Sequence, residues 1–253
     1  LMHKILYTKH KRKIAYKHYT GKSSIGFIFL SGFNSDMNGS KAKYIFDWCI
    51  KNKIECTLFD YSGHGKSSGN FKNCDISSWI DDATDILNEV TLNPQIIIGS
   101  SMGGWLAIKL ALLYPFKIKG LITIAAAPDF TKTLWEKELS LKQKNLITKK
   151  GFITIPSPYN SNGYIITKKL IKSGRKNFIL KRSNLKLECP IRLIHGDNDK
   201  EVNWINSLNI LKKIAKTDAE LTIIKNGDHR LSNENNLKKL VEISYNLFKN
   251  LET

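Results

Sequence analysis

The chain has 253 residues, 42% of them hydrophobic, and a formal net charge of +18. This length is enough for one domain with a full apolar core. No apolar run approaches the roughly 20 residues that a membrane-spanning helix needs, so stable membrane insertion is not expected. Lysine supplies 35 of the 40 basic residues, and no nucleic-acid-binding motif accompanies them, which argues against a nucleic-acid partner.

The cysteines and the first 25 residues indicate the cellular compartment in which the protein is expected. The four cysteines form no C-x-x-C pair and no cluster with metal-ligand spacing, so we expect neither disulfides nor a metal or other cofactor. The first 25 residues lack Asp and Glu, as a transit peptide does. However, strand patterns at 5–7 and 14–16 predict a folded hairpin there. Together these features predict a cytoplasmic protein.

The first apolar strand, 25–30, leads into a loop that reads Ser31-Gly32-Phe33-Asn34. Gly32 allows a tight turn after the strand, so the backbone N–H of Phe33 can face a site at the strand's carboxyl end. A helix at 41–52, a strand at 54–59 and a helix at 76–90 follow, the last with Asp75 as its predicted N-cap. Strands and helices therefore alternate, which predicts a mostly parallel sheet with helices on both faces.

A nucleophile motif follows the next apolar run. Residues 94–105 read PQIIIGSSMGGW and contain a G-x-S-x-G pattern in which only Ser101 has glycines at both required offsets. Because a β-branched run precedes the pattern and a helix-like stretch follows it, we interpret it as a strand–turn–helix nucleophile elbow. The backbone N–H of Met102, together with that of Phe33, is predicted to form an oxyanion hole.

The chain supplies an acid and a base after the serine, in the order that this elbow requires. His229 lies in a Gly-Asp-His turn behind a late strand, and we interpret it as the base. Asp199, four residues after His195 in an H-G-x-x-D turn, is the preferred acid, with Asp197 and Asp129 as rivals. His195 is interpreted as a packing residue. His64, in the loop DYSGHGKSSG at 60–69, precedes the serine and is interpreted as structural.

Residues 128–187 interrupt the alternation with a helix expected at about 131–148 and a Gly/Pro-rich middle. We expect them to form a lid inserted into a single domain spanning 1–253. The lid carries 14 Lys or Arg against 3 Asp or Glu, whereas the rest of the chain is nearly balanced. This excess favours anionic substrates or an acidic membrane face. The alternation resumes at 191 and ends in a helix at about 234–250.

Several of these segments resemble one known family. They are SGFNSDMNGSKA (31–42), FDYSGHGKSSG (59–69), GSSMGGW (99–105), IPSPY (155–159), CPIRLIHG (189–196) and DHR (228–230). Over its whole length the chain is similar to the α/β-hydrolase superfamily, and within it to the mitochondrial enzymes described as palmitoyl-protein thioesterases and acyl-glucuronide esterases. The resemblance implies a Ser-Asp-His hydrolase of acyl esters and thioesters, with Ser101, Asp199 and His229 as its triad.

The sequence therefore predicts a cofactor-independent serine hydrolase of carboxylesterase or acyl-thioesterase type on an α/β-hydrolase fold. Its expected partners are small-molecule or acylated-protein substrates. Two alternatives remain open at this point. The same triad can transfer an acyl group to an acceptor other than water, and the fold can also serve as a non-catalytic binding protein.

Overall fold

The protein is described here by a computed structural model that covers residues 2–157, 161–215 and 217–252. Within these residues the main sheet has eight strands in the spatial order β1-β2-β4-β3-β5-β6-β9-β10. The strands of this sheet are β1 (Lys4–Tyr7), β2 (Lys13–Tyr19), β3 (Gly26–Leu30), β4 (Cys56–Phe59), β5 (Gln95–Ser100), β6 (Ile118–Ile124), β9 (Ile191–Gly196) and β10 (Ala219–Ile224).

The remaining elements are helices, with one small hairpin. The helices are α1 (Ser40–Lys51), α2 (Ile76–Glu89), α3 (Met102–Leu113), α4 (Phe130–Thr133), α5 (Leu141–Lys150), α6 (Lys168–Asn177), α7 (Ile205–Lys213) and α8 (Glu234–Glu252). Strands β7 (Phe152–Ile155) and β8 (Tyr164–Thr167) form the antiparallel hairpin. In the described part of the chain, each helix is too short or too polar to cross a bilayer.

The parallel part of the sheet runs from β4 through β10, and β1 and β2 extend it as an antiparallel hairpin. Strands β3, β4 and β5 are buried along their whole length. Strands covered on both faces become continuous apolar runs, which explains the Ile-Ile-Ile run of β5. One face packs against α2 and α3 around Trp79 and Trp105, and the other packs against α1 and α8 around Phe27.

The segment between β6 and β9 contains α4, α5, the β7–β8 hairpin and α6. The single helix expected at 131–148 is wrong, because α4 continues only into a π-helical turn, Leu134–Glu138, and the chain is extended at Leu139. Ser140 then caps α5 through a reciprocal pair of hydrogen bonds with Gln143. Pro158 and Tyr159 of the IPSPY motif lie outside the described residues. The extent of the lid, 128–187, stays a prediction.

Candidate active site

Ser101 lies in the turn between β5 and α3, at the carboxyl end of the parallel strands. Its backbone φ is +54°, a left-handed conformation that side-chain-bearing residues seldom adopt and that marks a strained turn. A side chain at Gly103 would collide with the backbone carbonyl of Leu30, so this turn packs tightly against the end of β3. The constraint projects the Ser101 hydroxyl away from the sheet, next to the N-terminus of α3.

His229 and Asp199 reach Ser101 from the loops that follow β10 and β9. The imidazole Nε2 of His229 lies 3.1 Å from the hydroxyl oxygen of Ser101, and its Nδ1 lies 2.7 Å from Oδ2 of Asp199. With the proton on Nδ1, His229 donates to the carboxylate and accepts from the hydroxyl. The structure thus joins the three predicted residues in one hydrogen-bonded path.

The side chain of Asp199 is fully buried yet held in its charged form. Its Oδ1 accepts hydrogen bonds from the backbone N–H groups of Glu201 and Val202, both at 2.9 Å. Burial opposes the charge, but the hydrogen bonds from His195 and His229 outweigh it and hold the pKa of Asp199 well below its usual value. A carboxylate with this many donors has little freedom to rotate, so it fixes the orientation of His229.

His195 has a role that the sequence reasoning missed. It is completely buried, and its Nε2 lies 3.0 Å from Oδ2 of Asp199 and 2.9 Å from the carbonyl oxygen of Val202. Two acceptors on one ring nitrogen assign the proton to Nε2, and Nδ1 then accepts from the hydroxyl of Ser207 at 2.7 Å. His195 therefore donates to the same carboxylate oxygen of Asp199 as His229 does, and helps to hold it. In the sequence, the H-G-x-x-D spacing is the feature that could have indicated this contact between His195 and Asp199.

The rival acids lie in other environments. Asp197 forms an exposed ion pair with Lys225 at 2.8 Å and accepts a hydrogen bond from the backbone of Asn226. Asp129 is buried, and its carboxylate accepts the backbone N–H groups of Ile179 and Leu180, both at 2.9 Å. Asp129 thus ties together the two ends of the segment between β6 and β9. The hydrogen-bonded path to Ser101 runs through Asp199.

The loop that carries Phe33 lies directly beside Ser101. A methyl group at Gly32 would lie 3.4 Å from Cβ of Ser101, which places the loop against the nucleophile turn. Both Phe33 and Met102 belong to the lining of the cleft around Ser101. The ring of Phe33 makes edge contacts with Phe71, Trp79, Phe130 and Tyr164, which hold this side of the cleft rigid.

His64 fixes the next residue of that loop. Its Nε2 accepts the backbone N–H of Asn34 at 3.2 Å, and its Nδ1 donates to the carbonyl oxygen of Ser62 at 3.2 Å. Burial lowers the pKa of His64 to about 4, so the ring is neutral and Nε2 is available as an acceptor. The interpretation of His64 as structural agrees with these contacts, and they also show that it supports the wall of the cleft.

The cleft has a volume of about 740 Å³, within the range of small-molecule sites. Its walls include apolar side chains from the segment between β6 and β9, namely Phe130, Leu134, Ile155, Tyr164 and Ile166. Charged side chains of both signs lie in the lining as well, among them Lys41, Lys200, Glu201 and Arg230. In the described residues, no group of three or more His, Cys, Asp or Glu side chains is arranged to hold a metal ion.

Lys41, on α1, holds the loop that follows His229. Its ammonium group donates to the backbone carbonyl of Arg230 and lies 3.5 Å from the hydroxyl of Ser232. Burial and the neighbouring charge of Arg230 lower the pKa of Lys41 to about 8. No sequence pattern indicates this contact, because the two partners are far apart in the chain.

Comparison with known proteins places this architecture in a family. A family model described as "Serine aminopeptidase, S33" matches residues 26–169. A Bos taurus protein named "Palmitoyl-protein thioesterase ABHD10, mitochondrial" is 36% identical over 241 residues, which are 95% of this chain and 78% of that protein. The Mus musculus protein of the same name is 38% identical over 90% of this chain and 76% of its own. The chain belongs to the α/β-hydrolase family.

A solved structure supports the same conclusion for the fold. The structure of alpha/beta hydrolase domain-containing protein 10 from mouse superposes with a TM-score of 0.91 at 35% sequence identity, covering 99% of this chain and 100% of that one. The predictions of family, fold class and hydrolase enzyme are therefore confirmed.

The prediction of a cytoplasmic protein is wrong. The relatives from Bos taurus, Mus musculus and Homo sapiens are all named as mitochondrial proteins. The prediction rested on unpaired cysteines and on a folded N-terminal hairpin, and the structure does contain four buried free thiols and the hairpin β1–β2. Reduced cysteines indicate a reducing environment. They do not distinguish one reducing compartment from another, and this is why the inference failed.

The burial of His64 makes protein stability depend on pH. The unfolded chain protonates this histidine near its ordinary pKa of 6.5, whereas the folded protein does so only near 4. The unfolded state therefore binds the extra proton between these values, and the free energy of unfolding falls as the pH drops from 6.5 to 4. We expect His64→Gln to remove a share of this loss on the order of 2–3 kcal/mol.

Urea unfolding gives the free energy of unfolding at pH 7.5 and at pH 4.5 for the wild type and for His64→Gln. The contribution of His64 is the difference between the two proteins in how much that free energy falls between these pH values. Glutamine can still accept the N–H of Asn34, so the variant retains the loop contact. An equal loss of stability in the two proteins would contradict the assignment of a neutral His64.

Proposed function

We propose that this protein is a serine hydrolase that cleaves acyl thioesters or acyl esters through an acyl-enzyme intermediate on Ser101. The observation that carries the proposal is the continuous hydrogen-bonded path from Ser101 through His229 to Asp199. A serine hydroxyl is a weak nucleophile, and it becomes reactive when a neutral imidazole accepts its proton during attack.

Each member of the path has one proposed role. Ser101 attacks the acyl carbonyl carbon while its proton passes to Nε2 of His229. The protonated imidazole then donates that proton to the leaving thiolate or alkoxide as the bond to the acyl group breaks. Asp199 keeps Nδ1 protonated and stabilises the imidazolium. Water attacks the acyl-enzyme by the same route in reverse, releasing the carboxylic acid and restoring Ser101.

The backbone N–H groups of Phe33 and Met102 are proposed to stabilise the oxyanion of the tetrahedral intermediates. Support comes from their places in the cleft lining and from the closeness of the Gly32 turn to Ser101. Met102 is also the first residue of α3, so its N–H lies at the helix N-terminus, where the helix dipole favours negative charge. Since both donors belong to the backbone, the fold positions them before substrate binds, which is the condition for electrostatic catalysis.

The proposed substrate class is an acyl group on a small molecule or a protein. The relatives that cover most of this chain are named palmitoyl-protein thioesterases, which favours a thioester with a long acyl chain. The aromatic and aliphatic walls contributed by Phe33, Phe130, Leu134 and Tyr164 provide apolar surface that suits such a chain.

Ser101→Ala removes the nucleophile and leaves the turn intact. We expect the variant to lose hydrolysis of acyl p-nitrophenyl esters and acyl-CoA thioesters, and to lose labelling by a fluorophosphonate, with an unchanged circular dichroism spectrum. The matched control is Ser100→Ala, one residue earlier at the end of β5, which should keep both labelling and turnover. Labelling that survives in Ser101→Ala and disappears in Ser100→Ala would place the nucleophile elsewhere.

Asp199→Asn tests the acid of the path. The amide can no longer hold the correct His229 tautomer, so kcat should fall by a factor on the order of 10⁴, as it does when a triad aspartate is replaced in a serine protease. Asp197→Asn is the matched control, because it alters an exposed ion pair two residues away. We expect this control to retain kcat within about threefold, since an exposed pair contributes little.

Steady-state kinetics with one p-nitrophenyl ester provide the comparison of Asp199→Asn with Asp197→Asn. If the order of the two effects is reversed, Asp199 is not the acid that orients His229.

A further inference from the structure

The outer face of α6 carries only positive charge. Every exposed residue of this helix is Lys or Arg, whereas its remaining residues, including Leu170 and Ile171, are buried against the protein. The exposed set is Lys168, Lys169, Lys172, Arg175 and Lys176. No Asp or Glu occurs anywhere between Glu138 and Glu188. An uninterrupted cationic face of this kind on an amphipathic helix indicates an anionic partner.

This arrangement destabilises the isolated helix. Lys172 has like-charged neighbours one turn away on both sides, Lys168 and Lys176, and such i,i+4 pairs repel each other. Helix α8 of the same lysine-rich chain contains ion pairs instead. Lys238 lies 2.6 Å from Glu234, and Lys239 lies 2.9 Å from Glu242. A general excess of lysine therefore does not explain the absence of acidic residues on α6.

The cationic face continues onto α5. The ammonium group of Lys168 donates to the backbone carbonyl oxygen of Thr148 over 3.3 Å. Thr148 is followed in α5 by two exposed lysines, Lys149 and Lys150. Farther along the two helices, Lys144 and Arg175 both lie over the ring of Trp135, 6.0 and 5.5 Å from its centroid. Cationic side chains of α5 and α6 thus meet at these two places, and we call the exposed cations of the two helices the basic lid surface.

Apolar side chains lie at the edges of the basic lid surface. Phe152 is 38% exposed, and the ammonium group of Lys72 lies 3.8 Å from its ring centroid. The hollow around this pair is also lined by Lys168, Lys169 and Lys172. Leu141, at the start of α5, is 75% exposed. Exposed Phe and Leu beside lysines suit a bilayer interface, where apolar groups enter the headgroup region while cations contact phosphates.

The basic lid surface also lies next to the candidate active site. Tyr164 and Ile166 of β8 line the cleft, and the same strand continues directly into α6. We propose that the basic lid surface docks the protein onto membranes containing anionic phospholipid, with the cleft close to the lipid. This goes beyond the proposed hydrolysis, because it names the surface from which a substrate with a long acyl chain would enter.

Co-sedimentation with vesicles tests the proposal. At low salt we expect the wild-type protein to bind phosphatidylcholine vesicles that contain phosphatidylserine, and not vesicles of phosphatidylcholine alone. Lys168→Gln/Lys172→Gln/Lys176→Gln should weaken the partition constant about a hundredfold, since each lysine near an anionic surface contributes about fivefold. Lys169 is left unchanged, because it bonds to the carbonyl of Asn73 and pairs with Asp75.

The matched control removes the same charge from the opposite side of the sheet. Lys43→Gln/Lys51→Gln/Lys249→Gln changes exposed lysines of α1 and α8 and should lower the partition constant by less than about fivefold, because these lysines would lie more than a Debye length from the docked surface. Both triple variants should hydrolyse a water-soluble p-nitrophenyl ester like the wild type. That assay reports on the proposed hydrolysis separately from membrane docking.

Equal loss of vesicle binding in the two triple variants would overturn the proposal, because net charge and not the α6 face would then be responsible. Absence of wild-type binding to anionic vesicles would overturn it as well. Binding to polyglutamate or duplex DNA that requires the α6 lysines, together with no binding to anionic vesicles, would identify a different anionic partner and exclude the membrane.

Discussion

The candidate active site depends on the hydrogen bonds that hold the buried carboxylate of Asp199. This carboxylate is buried and charged, a combination that is costly unless hydrogen-bond donors surround the group. Backbone N–H groups satisfy one oxygen, and His195 and His229 satisfy the other. Its orientation is therefore fixed from several directions, and His229 is fixed with it. A hydroxyl 3.1 Å from Nε2 then completes the path to Ser101.

The parallel sheet explains why residues so distant in sequence can meet. The loops after β3, β5, β9 and β10 all leave the same edge of the sheet, since the carboxyl ends of parallel strands lie together. They bring Phe33, Ser101, Asp199 and His229 to one cleft. The segment between β6 and β9 then adds apolar walls from Phe130 to Ile166 and carries its positive charge on the outside, so pocket wall and cationic surface belong to the same segment.

Features encoded locally could be predicted from the sequence, and contacts between distant segments could not. The G-x-S-x-G turn identified Ser101 because the whole motif lies within five consecutive residues, between a strand and a helix. Asp75 was recognisable as the cap of α2 for a similar reason. In contrast, the hold of His64 on Asn34 and that of Lys41 on the carbonyl of Arg230 depend on tertiary packing. The break at Leu139 within the expected helix was missed because hydrophobic spacing alone does not reveal a new cap.

We propose above all that Ser101 carries the acyl group during turnover. Rapid quenching of the protein with an acyl p-nitrophenyl ester, followed by digestion and mass spectrometry, tests it most directly. We expect a burst of p-nitrophenol and an acyl adduct confined to the peptide that contains Ser101, appearing and decaying at rates consistent with kcat. Turnover accompanied by an acyl adduct on a different residue, or by none at Ser101 under conditions of a full burst, would contradict it.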